Sequence, residues 1–263
     1  MNNYSKIVKR NNYLLDTAFY PKVSIITVVK NGQKYLEKTI QSVIRQNYKN
    51  IEYIIIDGNS LDNTSNIIKK YKDKISIYIK RNDKNLWEAM NWGIRQSNGS
   101  IVAFINSDDI FNKSAVSIAV NYLRNKKNDF VFGSVHKHIL KYGFHPKVAK
   151  WSFNFYTTHS VGFFIKKKLH KQIGFYNSTF LSADLDLFLR IIFKKRYTGI
   201  ATKKNEIFGY FRPGGFSSKI KYRDHLNDLN KIRINNKQNI FFVYLIYVYK
   251  IFKNFKKFFF NKH

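Results

Sequence analysis

Two adjacent acidic residues follow an apolar run near the middle of the chain. Residues 101–105 are apolar, and Asn106-Ser107-Asp108-Asp109 comes directly after them. Neighbouring carboxylates repel each other unless a positive group compensates their charge, and hard divalent cations take oxygen ligands and bridge phosphates. The motif therefore indicates a cation site at Asp108 and Asp109. A solvated turn in which Asp109 caps the next helix explains the same residues.

A second polar cluster, Asp57-Gly58-Asn59-Ser60, follows the buried strand predicted at residues 51–56. A carboxylate at this position can accept a hydrogen bond from the N–H of a nucleotide base, and a glycine beside it allows close backbone approach. The same four residue types are common in ordinary turns. Taken alone, the cluster indicates only a turn.

A third acidic pair, Asp184 and Asp186, precedes an apolar segment that contains Arg190. Asp184 has the chemistry of a general base, and Arg190 lies one helical turn after Asp186, where it can pair with that carboxylate. Acidic residues at a helix start are also favoured by the helix dipole. On this evidence, a catalytic role and a structural role explain the acidic pair equally well.

Four further residues are candidates for ligand contacts. Arg212 with Gly215 is suited to a mobile lid that grips phosphates, although an ordinary surface turn explains them equally well. His159 is a candidate acceptor contact, but a lone histidine is more often structural. Asn91 lies on a predicted helix and offers an amide to a ligand.

The elements that must position these residues follow from hydrophobic spacing. Apolar, β-branched runs at residues 23–29, 51–56, 75–79 and 101–105 predict buried strands, and the spacing between them predicts helices, including one at residues 86–96. Alternating strands and helices predict βαβ units and a mostly parallel sheet. Ligands bind outside the carboxyl ends of such strands. Asn31, Asp57 and Asp108 are therefore expected at one edge.

The second half of the chain has a less regular pattern. It predicts strands at residues 129–135, 161–165 and 207–211, a helix at residues 185–193, and a helical, basic tail from Lys221 onward. Within that tail, residues 240–260 mix apolar, aromatic and Lys side chains, as a helix in a membrane interface does. Packing of the tail against the domain is the alternative.

The composition limits the class of protein. The chain has 263 residues with 44% hydrophobic content, which excludes a disordered tail, and it has no Cys, which excludes disulfides. Its formal net charge of +31 attracts anions. A composition rich in Lys and Asn with no specific target explains that charge as well as binding to an anionic membrane surface does. Nucleic acid is the third explanation, because no nucleic-acid-binding motif is present. Residues 1–20 lack the apolar core of a signal peptide.

Together, the motifs resemble glycosyltransferase family 2, the inverting transferases of GT-A fold, and most closely the bacterial members that build surface polysaccharides. The resemblance covers roughly residues 21–217. It rests on the order and spacing of Val23-Ser24-Ile25-Ile26-Thr27 with Asn31, Asp57-Gly58-Asn59-Ser60, Glu88-Ala89-Met90-Asn91, Asn106-Ser107-Asp108-Asp109 and Asp184-x-Asp186 with Arg190. It implies an α/β, Rossmann-like sheet flanked by helices.

The resemblance also implies roles for individual residues. Asp184 aligns with the catalytic base, and Asp108, supported by Asp109, would ligate Mn²⁺ or Mg²⁺. The acceptor or lid side would include His159, Asp186, Arg190, Arg212 and Gly215. The nucleotide-binding residues would be Thr27, Val28, Val29, Asn31, Asp57, Asn59, Arg81, Asn91, Asn106 and Ser107.

The activity implied is transfer of a sugar, with inversion, from a nucleotide-diphospho-sugar, expected to be UDP-linked, to an acceptor hydroxyl. The acceptor is expected to be a sugar or a lipid-linked sugar in polysaccharide or glycolipid synthesis. Two alternatives remain: a non-catalytic nucleotide-sugar binder of the same fold, and a basic scaffold for membrane or nucleic acid. No nucleic-acid partner is expected for the transferase.

The predicted organisation has three parts. Residues 1–20 form a basic N-terminal extension, and residues 21–220 form one GT-A catalytic domain. Within it, residues 21–110 are the nucleotide-binding half and residues 111–220 the acceptor half. Residues 221–263 form a basic, amphipathic tail. The expected location is cytoplasmic, with the protein peripheral on the inner face of the cell membrane if the tail binds lipid.

Overall fold

The computed structural model describes residues 7–10, 13–16, 20–144, 160–193, 197–215 and 220–260. The strands within these ranges are β1 (Ile7–Arg10), β2 (Tyr13–Asp16), β3 (Val23–Val29), β4 (Ile51–Asp57), β5 (Ile77–Lys80), β6 (Ile101–Phe104), β7 (Ile110–Phe111), β8 (Phe130–Phe132), β9 (Ser134–His136), β10 (Leu140–Lys141), β11 (Phe163–Lys166), β12 (Gly199–Ala201) and β13 (Ile207–Tyr210).

The α-helices of the same ranges alternate with the strands in the first half and dominate the end of the chain. They are α1 (Leu36–Ile44), α2 (Thr64–Lys70), α3 (Leu86–Gln96), α4 (Ala115–Arg124), α5 (Lys168–Ile173), α6 (Ala183–Phe193), α7 (Tyr222–Asn235), α8 (Ile240–Lys253) and α9 (Phe255–Phe260). Short 3-10 helices occupy Lys72–Lys74 and Ser160–Gly162.

The central sheet has the strand order β12-β8-β11-β6-β3-β4-β5. Strands β6, β3, β4 and β5 are mutually parallel, whereas β11 runs antiparallel to both of its neighbours. The sheet is therefore mostly parallel, as predicted. Because β3, β4 and β6 point the same way, the loops after all three leave the sheet at one edge.

Helices cover both faces of this sheet. Successive side chains of a strand point to opposite faces, and Ile25 and Ile26 accordingly belong to separate apolar clusters. The Ile25 cluster includes Leu36 of α1, and the Ile26 cluster includes Met90 of α3. Burial on both faces explains why the first-half strands are largely apolar. Among the buried polar exceptions, Ser24 and Glu52 are hydrogen-bonded to each other.

The segment predicted as one strand at residues 129–135 forms two strands, which belong to different sheets. β8 belongs to the central sheet, and β9 belongs to a second sheet of order β10-β9-β13-β7. The chain changes sheets at Gly133, whose amide still donates to the carbonyl of Gly162 at 2.8 Å. A Cβ at position 133 would lie 2.0 Å from Cγ of Phe208, so no side chain fits there.

Other predicted elements are confirmed with small changes of boundary. The strand at residues 23–29 and the helix at residues 86–96 have the predicted ends. The strand predicted at residues 75–79 begins two residues later, and the one predicted at residues 161–165 begins after a 3-10 turn. Among the described residues, no helix combines the length and apolar character needed to cross a membrane.

Candidate active site

A large cleft opens at the carboxyl edge of β3, β4 and β6. Its volume is about 1620 Å³, above the range of about 300–1,000 Å³ typical for one small ligand. The space therefore suits two substrates at once. Predicted site residues that line it are Val28, Val29, Asn31, Asn106, Ser107, Asp108, Asp184 and Gly215.

The wall formed by β3 and β4 is held by hydrogen bonds between their ends. The amide of Gly58 donates to the carbonyl of Val29 at 2.7 Å, and the amide of Asn31 donates to the Ser60 hydroxyl at 2.8 Å. Asn31 has a φ of 52°, a left-handed conformation that asparagine tolerates better than most residues. Its side-chain oxygen accepts from the amide of Leu61.

Asp57 lies beneath this wall and does not line the cleft. Its carboxylate is fully buried and accepts hydrogen bonds from the Ser60 amide at 2.8 Å and the Tyr78 hydroxyl at 3.1 Å. Thr27 is also buried, where its hydroxyl contacts that of Tyr53. The exposed Asn59 lies at the start of the following turn, with a φ of 59°.

The two acids after β6 have different environments. Asp108 lines the cleft, and its pKa is raised by burial, an effect that the charge of Arg212 opposes. Asp109 is fully buried away from the cleft, where it accepts hydrogen bonds from the Arg212 amide and the Asn106 side-chain amide, both at 3.0 Å. Burial raises the pKa of Asp109 to about 7. The structure therefore places only Asp108 where a bound ligand can reach it.

Asp184 lies at the start of α6 and faces the same cleft as Asp108. One carboxylate oxygen accepts a hydrogen bond from the Leu185 amide at 2.9 Å. Burial raises the pKa of Asp184 to about 6. A carboxylate with this pKa is ionised at neutral pH and is a stronger base than an exposed aspartate.

Asp186 and Arg190 are bound to the protein rather than placed in the cleft. The guanidinium of Arg190 donates to Asp186 at 2.9 Å and to the carbonyls of Ile173 and Phe175. The other oxygen of Asp186 accepts from Asn236 of α7 at 2.8 Å. These bonds fix α6 against its neighbours and thereby position Asp184.

Asn91 and Arg81 also lie outside the cleft lining. The side-chain amide of Asn91 donates to the carbonyl of Tyr176 at 2.8 Å and accepts from its amide at 2.9 Å. Arg81 pairs with Asp83 at 2.7 Å and stacks over Trp92. The nitrogen and the oxygen of the Asn91 side-chain amide are therefore both hydrogen-bonded to backbone groups.

Tyr35 is a cleft residue that sequence reasoning missed. The guanidinium carbon of Arg212 lies 3.5 Å from the centre of its ring, which is a close cation–π contact. Gly215 lies over Asp108, since a Cβ at position 215 would come within 3.2 Å of a carboxylate oxygen of Asp108. Segment 211–215 therefore covers the acid that follows β6. His159 lies outside the described residues.

The C-terminal helices also contribute to the cleft, which no local motif indicated. Tyr222 and His225 of α7 and Lys257 of α9 line it. Nδ1 of His225 lies 3.1 Å from the Ser182 hydroxyl, and Asp228, one turn further on, accepts from the amides of Leu181 and Ser182. The first two turns of α7 therefore hold the loop that precedes Asp184.

The residues of the cleft fit a divalent cation that shares its ligands with phosphate. Among the described residues, no group of three or more His, Cys, Asp or Glu side chains is arranged to hold a metal. Mg²⁺ in phosphate sites needs only one or two carboxylates, with substrate oxygens completing its shell. Asp108 supplies one such carboxylate at the strand end, and Asn106 and Ser107 supply neighbouring polar groups.

Comparison with known families and proteins identifies the family and the fold of the chain. The family model for Glycosyl transferase family 2 matches residues 24–197. The poly(ribitol-phosphate) beta-N-acetylglucosaminyltransferase TarP of Staphylococcus aureus is 37% identical over 117 residues, which are 43% of this chain and 36% of TarP. The chain spans less than half the length of the curated relatives that it matches.

Solved structures share the fold at low sequence identity. S. aureus TarS 1-349 in complex with UDP-GlcNAc gives a TM-score of 0.66 at 16% identity over 89% of this chain and 73% of that one. The mannosyltransferase PcManGT of Pyrobaculum calidifontis, in complex with GDP-Man and Mn²⁺, gives 0.64 at 15% identity, over 83% of this chain and 65% of that one. These likenesses confirm the predicted GT-A α/β architecture.

Proposed function

The chain belongs to glycosyltransferase family 2, and we propose that it transfers a sugar from a nucleotide-diphospho-sugar to an acceptor hydroxyl with inversion at the anomeric carbon. One observation carries the proposal. Asp184, a carboxylate whose pKa is raised to about 6, faces the same cleft as Asp108 at the carboxyl edge of the sheet. The proposed base, Asp184, and the acid proposed to lie near the donor phosphates, Asp108, therefore line the same cleft.

The donor is proposed to lie against the ends of β3 and β6. Val28, Val29 and Asn31 line one wall of the cleft, and Asn106, Ser107 and Asp108 line the adjoining one. The buried hydrogen bonds of Asp57 keep the β4 turn close to this wall. We propose a UDP-linked donor, which is consistent with the UDP-GlcNAc held by TarS.

Asp108 would hold a divalent cation, Mn²⁺ or Mg²⁺, together with the donor diphosphate. The complex of PcManGT with Mn²⁺ supports divalent metal use among proteins of this fold. When bound, such an ion offsets the negative charge that develops on a leaving diphosphate. Gly215 and the rest of segment 211–215 cover Asp108, so they help to exclude water from that end of the cleft.

The proposed reaction is a single displacement. The acceptor oxygen attacks the anomeric carbon, the bond between that carbon and the diphosphate oxygen breaks, and its electron pair leaves with the nucleoside diphosphate. The hydroxyl proton passes to the Asp184 carboxylate. One displacement inverts the configuration, whereas retention would need a second nucleophile.

The acidic residues of the cleft favour this single displacement. In the described part of the chain, its lining contains Asp83, Asp108 and Asp184 as carboxylates. Asp83 is paired with Arg81, and Asp108 lies at the phosphate end. Asp184 is then the carboxylate available to the acceptor, with a role as base rather than nucleophile.

The acceptor is proposed to be a sugar or a lipid-linked sugar in polysaccharide or glycolipid synthesis. The cleft exceeds what a donor alone would fill. Its acceptor end is bounded by Tyr222, His225 and Lys257. A basic side chain beside hydroxyl-binding groups suits an acceptor that carries both sugar and phosphate.

Two other functions predict experimental results that differ from those of sugar transfer. A non-catalytic nucleotide-sugar binder would bind the donor without turning it over, and replacement of Asp184 would change nothing measurable. A basic scaffold would bind nucleic acid in a strongly salt-dependent way that is unaffected by Asp108→Ala. The raised pKa and cleft position of Asp184 favour the enzyme.

A thermal-shift screen of nucleotide-sugars with and without Mn²⁺ tests the donor site. A ligand at about 100 times its Kd stabilises the folded state by about 2.7 kcal/mol. We expect at least one nucleotide-sugar to raise the Tm, more strongly with Mn²⁺, and Asp108→Ala to remove the metal-dependent part. An absence of any shift across the common UDP-, GDP- and dTDP-sugars would contradict the proposal.

A further inference from the structure

Helix α8 (Ile240–Lys253) places Val243 and its polar contacts against the protein and exposes most of its other apolar side chains. On the inner face, the Tyr247 hydroxyl donates to Asn227, and Asn254, just beyond the helix, donates to the Tyr222 hydroxyl at 3.0 Å. Lys250 is on this face too, where burial lowers its pKa to about 8. An ordinary surface helix exposes mainly polar side chains, so the exposure of so many apolar ones on α8 is unusual.

The outer face of α8 carries a continuous apolar stripe. Phe241, Leu245, Val248 and Phe252 are spaced by four, three and four residues, so they lie along one side of the helix. Their exposed fractions are 69%, 56%, 46% and 74%. Phe255 and Phe259 of α9 extend the exposed apolar surface. Contiguous apolar surface of this kind marks an interaction site rather than scattered exposure.

The charge around this stripe has a single sign. Residues 229–263 contain eight Lys and Arg residues and no Asp or Glu. Lys253, Lys256 and Lys257 are exposed beside the aromatic side chains of α8 and α9. An apolar helix face bordered by lysines complements a surface that is apolar in its interior and negative at its boundary.

We propose that the outer face of α8 and α9 docks the protein on an anionic lipid bilayer, with α8 lying in the plane of the interface. The apolar stripe enters the boundary between headgroups and acyl chains, and the lysines contact lipid phosphates. A cytoplasmic leaflet carries a negative surface potential, so it is the surface that this face meets.

Other occupants fit this face less well. A second copy of the chain would bring two lysine-rich surfaces together with no acidic residue between them. Nucleic acid would satisfy the lysines, but it would leave the stripe of Phe241, Leu245 and Phe252 in water. A bilayer is the partner that matches both the apolar and the basic parts.

Docking in this manner brings the cleft to the membrane. Lys257 of α9 lines the cleft, as does Tyr222, which is bonded to Asn254 between the two helices. The acceptor end is therefore continuous with the proposed lipid-facing surface. The docking itself depends only on this surface, and it can be tested without any sugar substrate.

Vesicle flotation of the full chain tests the proposal. We expect the protein to float with phosphatidylcholine vesicles that contain phosphatidylglycerol and to float weakly with phosphatidylcholine alone. The triple variant Phe241→Ser, Leu245→Ser, Phe252→Ser should lower the partition coefficient by about a hundredfold or more. Ile139→Ser is the matched control, since Ile139 is 62% exposed in the turn between β9 and β10, outside the two helices of this face, and should bind as the parent does.

Several outcomes would overturn the proposal. One is a parent protein that stays at the bottom of the gradient, and another is a triple variant that floats as well as the parent. A parent that is dimeric without lipid and becomes monomeric in the triple variant, with no flotation, would assign the face to a second copy. Binding to RNA with no binding to vesicles would assign it to nucleic acid.

A second measurement avoids the triple variant. The chain has no Cys, so Phe252→Cys accepts a single environment-sensitive fluorophore. Its emission should shift to the blue on anionic vesicles, whereas a fluorophore on Ile139→Cys should not respond. An unchanged spectrum at position 252 would contradict insertion of the stripe even if the protein associates with vesicles through its charge.

Discussion

The carboxylate of Asp109 accepts a hydrogen bond at 3.0 Å from the backbone amide of Arg212, a residue 103 positions later in the chain. This bond joins the turn after β6 to segment 211–215, which covers the cleft. It also gives the two acids of the motif different environments. Asp108 lines the cleft, whereas Asp109 is buried among protein donors.

Replacement of Asp109 should therefore mainly affect stability, whereas replacement of Asp108 should mainly affect ligand binding. Asp109→Ala leaves the Arg212 amide without its acceptor, whereas the Asn106 side chain keeps its hydrogen bond to the Ser160 hydroxyl. An unpaired buried donor costs about 1–3 kcal/mol. Removal of a buried carboxylate offsets part of this loss. We expect a net decrease of about 1–3 kcal/mol in unfolding free energy, measured by urea denaturation.

Asp108→Ala is the matched comparison. Its carboxylate lines the cleft, so we expect a change in unfolding free energy within about 0.5 kcal/mol and loss of metal-dependent donor binding. If Asp108→Ala destabilises the protein and Asp109→Ala abolishes only metal dependence, the assignment of the two acids is reversed.

Asn91 should behave as a structural residue. Its amide bonds both backbone polar groups of Tyr176, and Asn91→Ala leaves them unpaired in a buried site. We expect a loss of about 2–4 kcal/mol of unfolding free energy. The KM for the donor in the fraction that remains folded should stay within about twofold. A large rise in KM with unchanged stability would instead support the nucleotide contact that the resemblance implied.

The stacking of Arg212 on Tyr35 should matter for donor binding. The guanidinium lies 3.5 Å from the ring centre, and such contacts are worth about 0.5–2 kcal/mol. Tyr35→Leu removes the ring from the cleft wall, so we expect the KM for the donor to rise about three- to thirtyfold. Tyr35→Phe keeps the ring and should retain nearly all of the affinity. Equal effects of the two substitutions would exclude the ring contact as the cause.

The pH dependence of transfer should report Asp184. The base acts only when ionised, and burial raises the pKa of Asp184 to about 6. The rate should rise as pH increases through about 6 and level off above it, provided that donor binding is saturated. A rate that is flat between pH 5 and 7 would exclude Asp184 as the group that accepts the proton.

Much of the fold follows from local sequence. The run Val23–Val29 is largely apolar because helices cover both faces of the sheet. Leu36 and Ile40 repeat at helical spacing because only one side of α1 is buried. The break at Gly133 was not predictable in this way. It depends on the ring of Phe208, which arrives from a strand more than seventy residues later.

Part of the candidate site was also predictable from local sequence. Asp108 and Asp184 reach the cleft because each lies at the end of an element whose bounds are visible in the sequence. The pairing of Asp186 with Arg190 follows from their spacing of four residues. By contrast, Arg190 and Asn91 also bond backbone groups of Phe175 and Tyr176, and no local pattern identifies these remote partners. The same holds for His225 and Lys257, which enter the cleft from the C-terminal helices.

The most direct test of Asp184 as the catalytic base is the rate of nucleoside-diphosphate release from the donor identified by thermal shift. Parent protein and Asp184→Asn are compared with Mn²⁺, using an acceptor sugar or water as the nucleophile. The account predicts release by the parent and a decrease of about a hundredfold to ten-thousandfold in Asp184→Asn, with donor binding retained. Equal rates for the two proteins, or no release from any nucleotide-sugar, would contradict it.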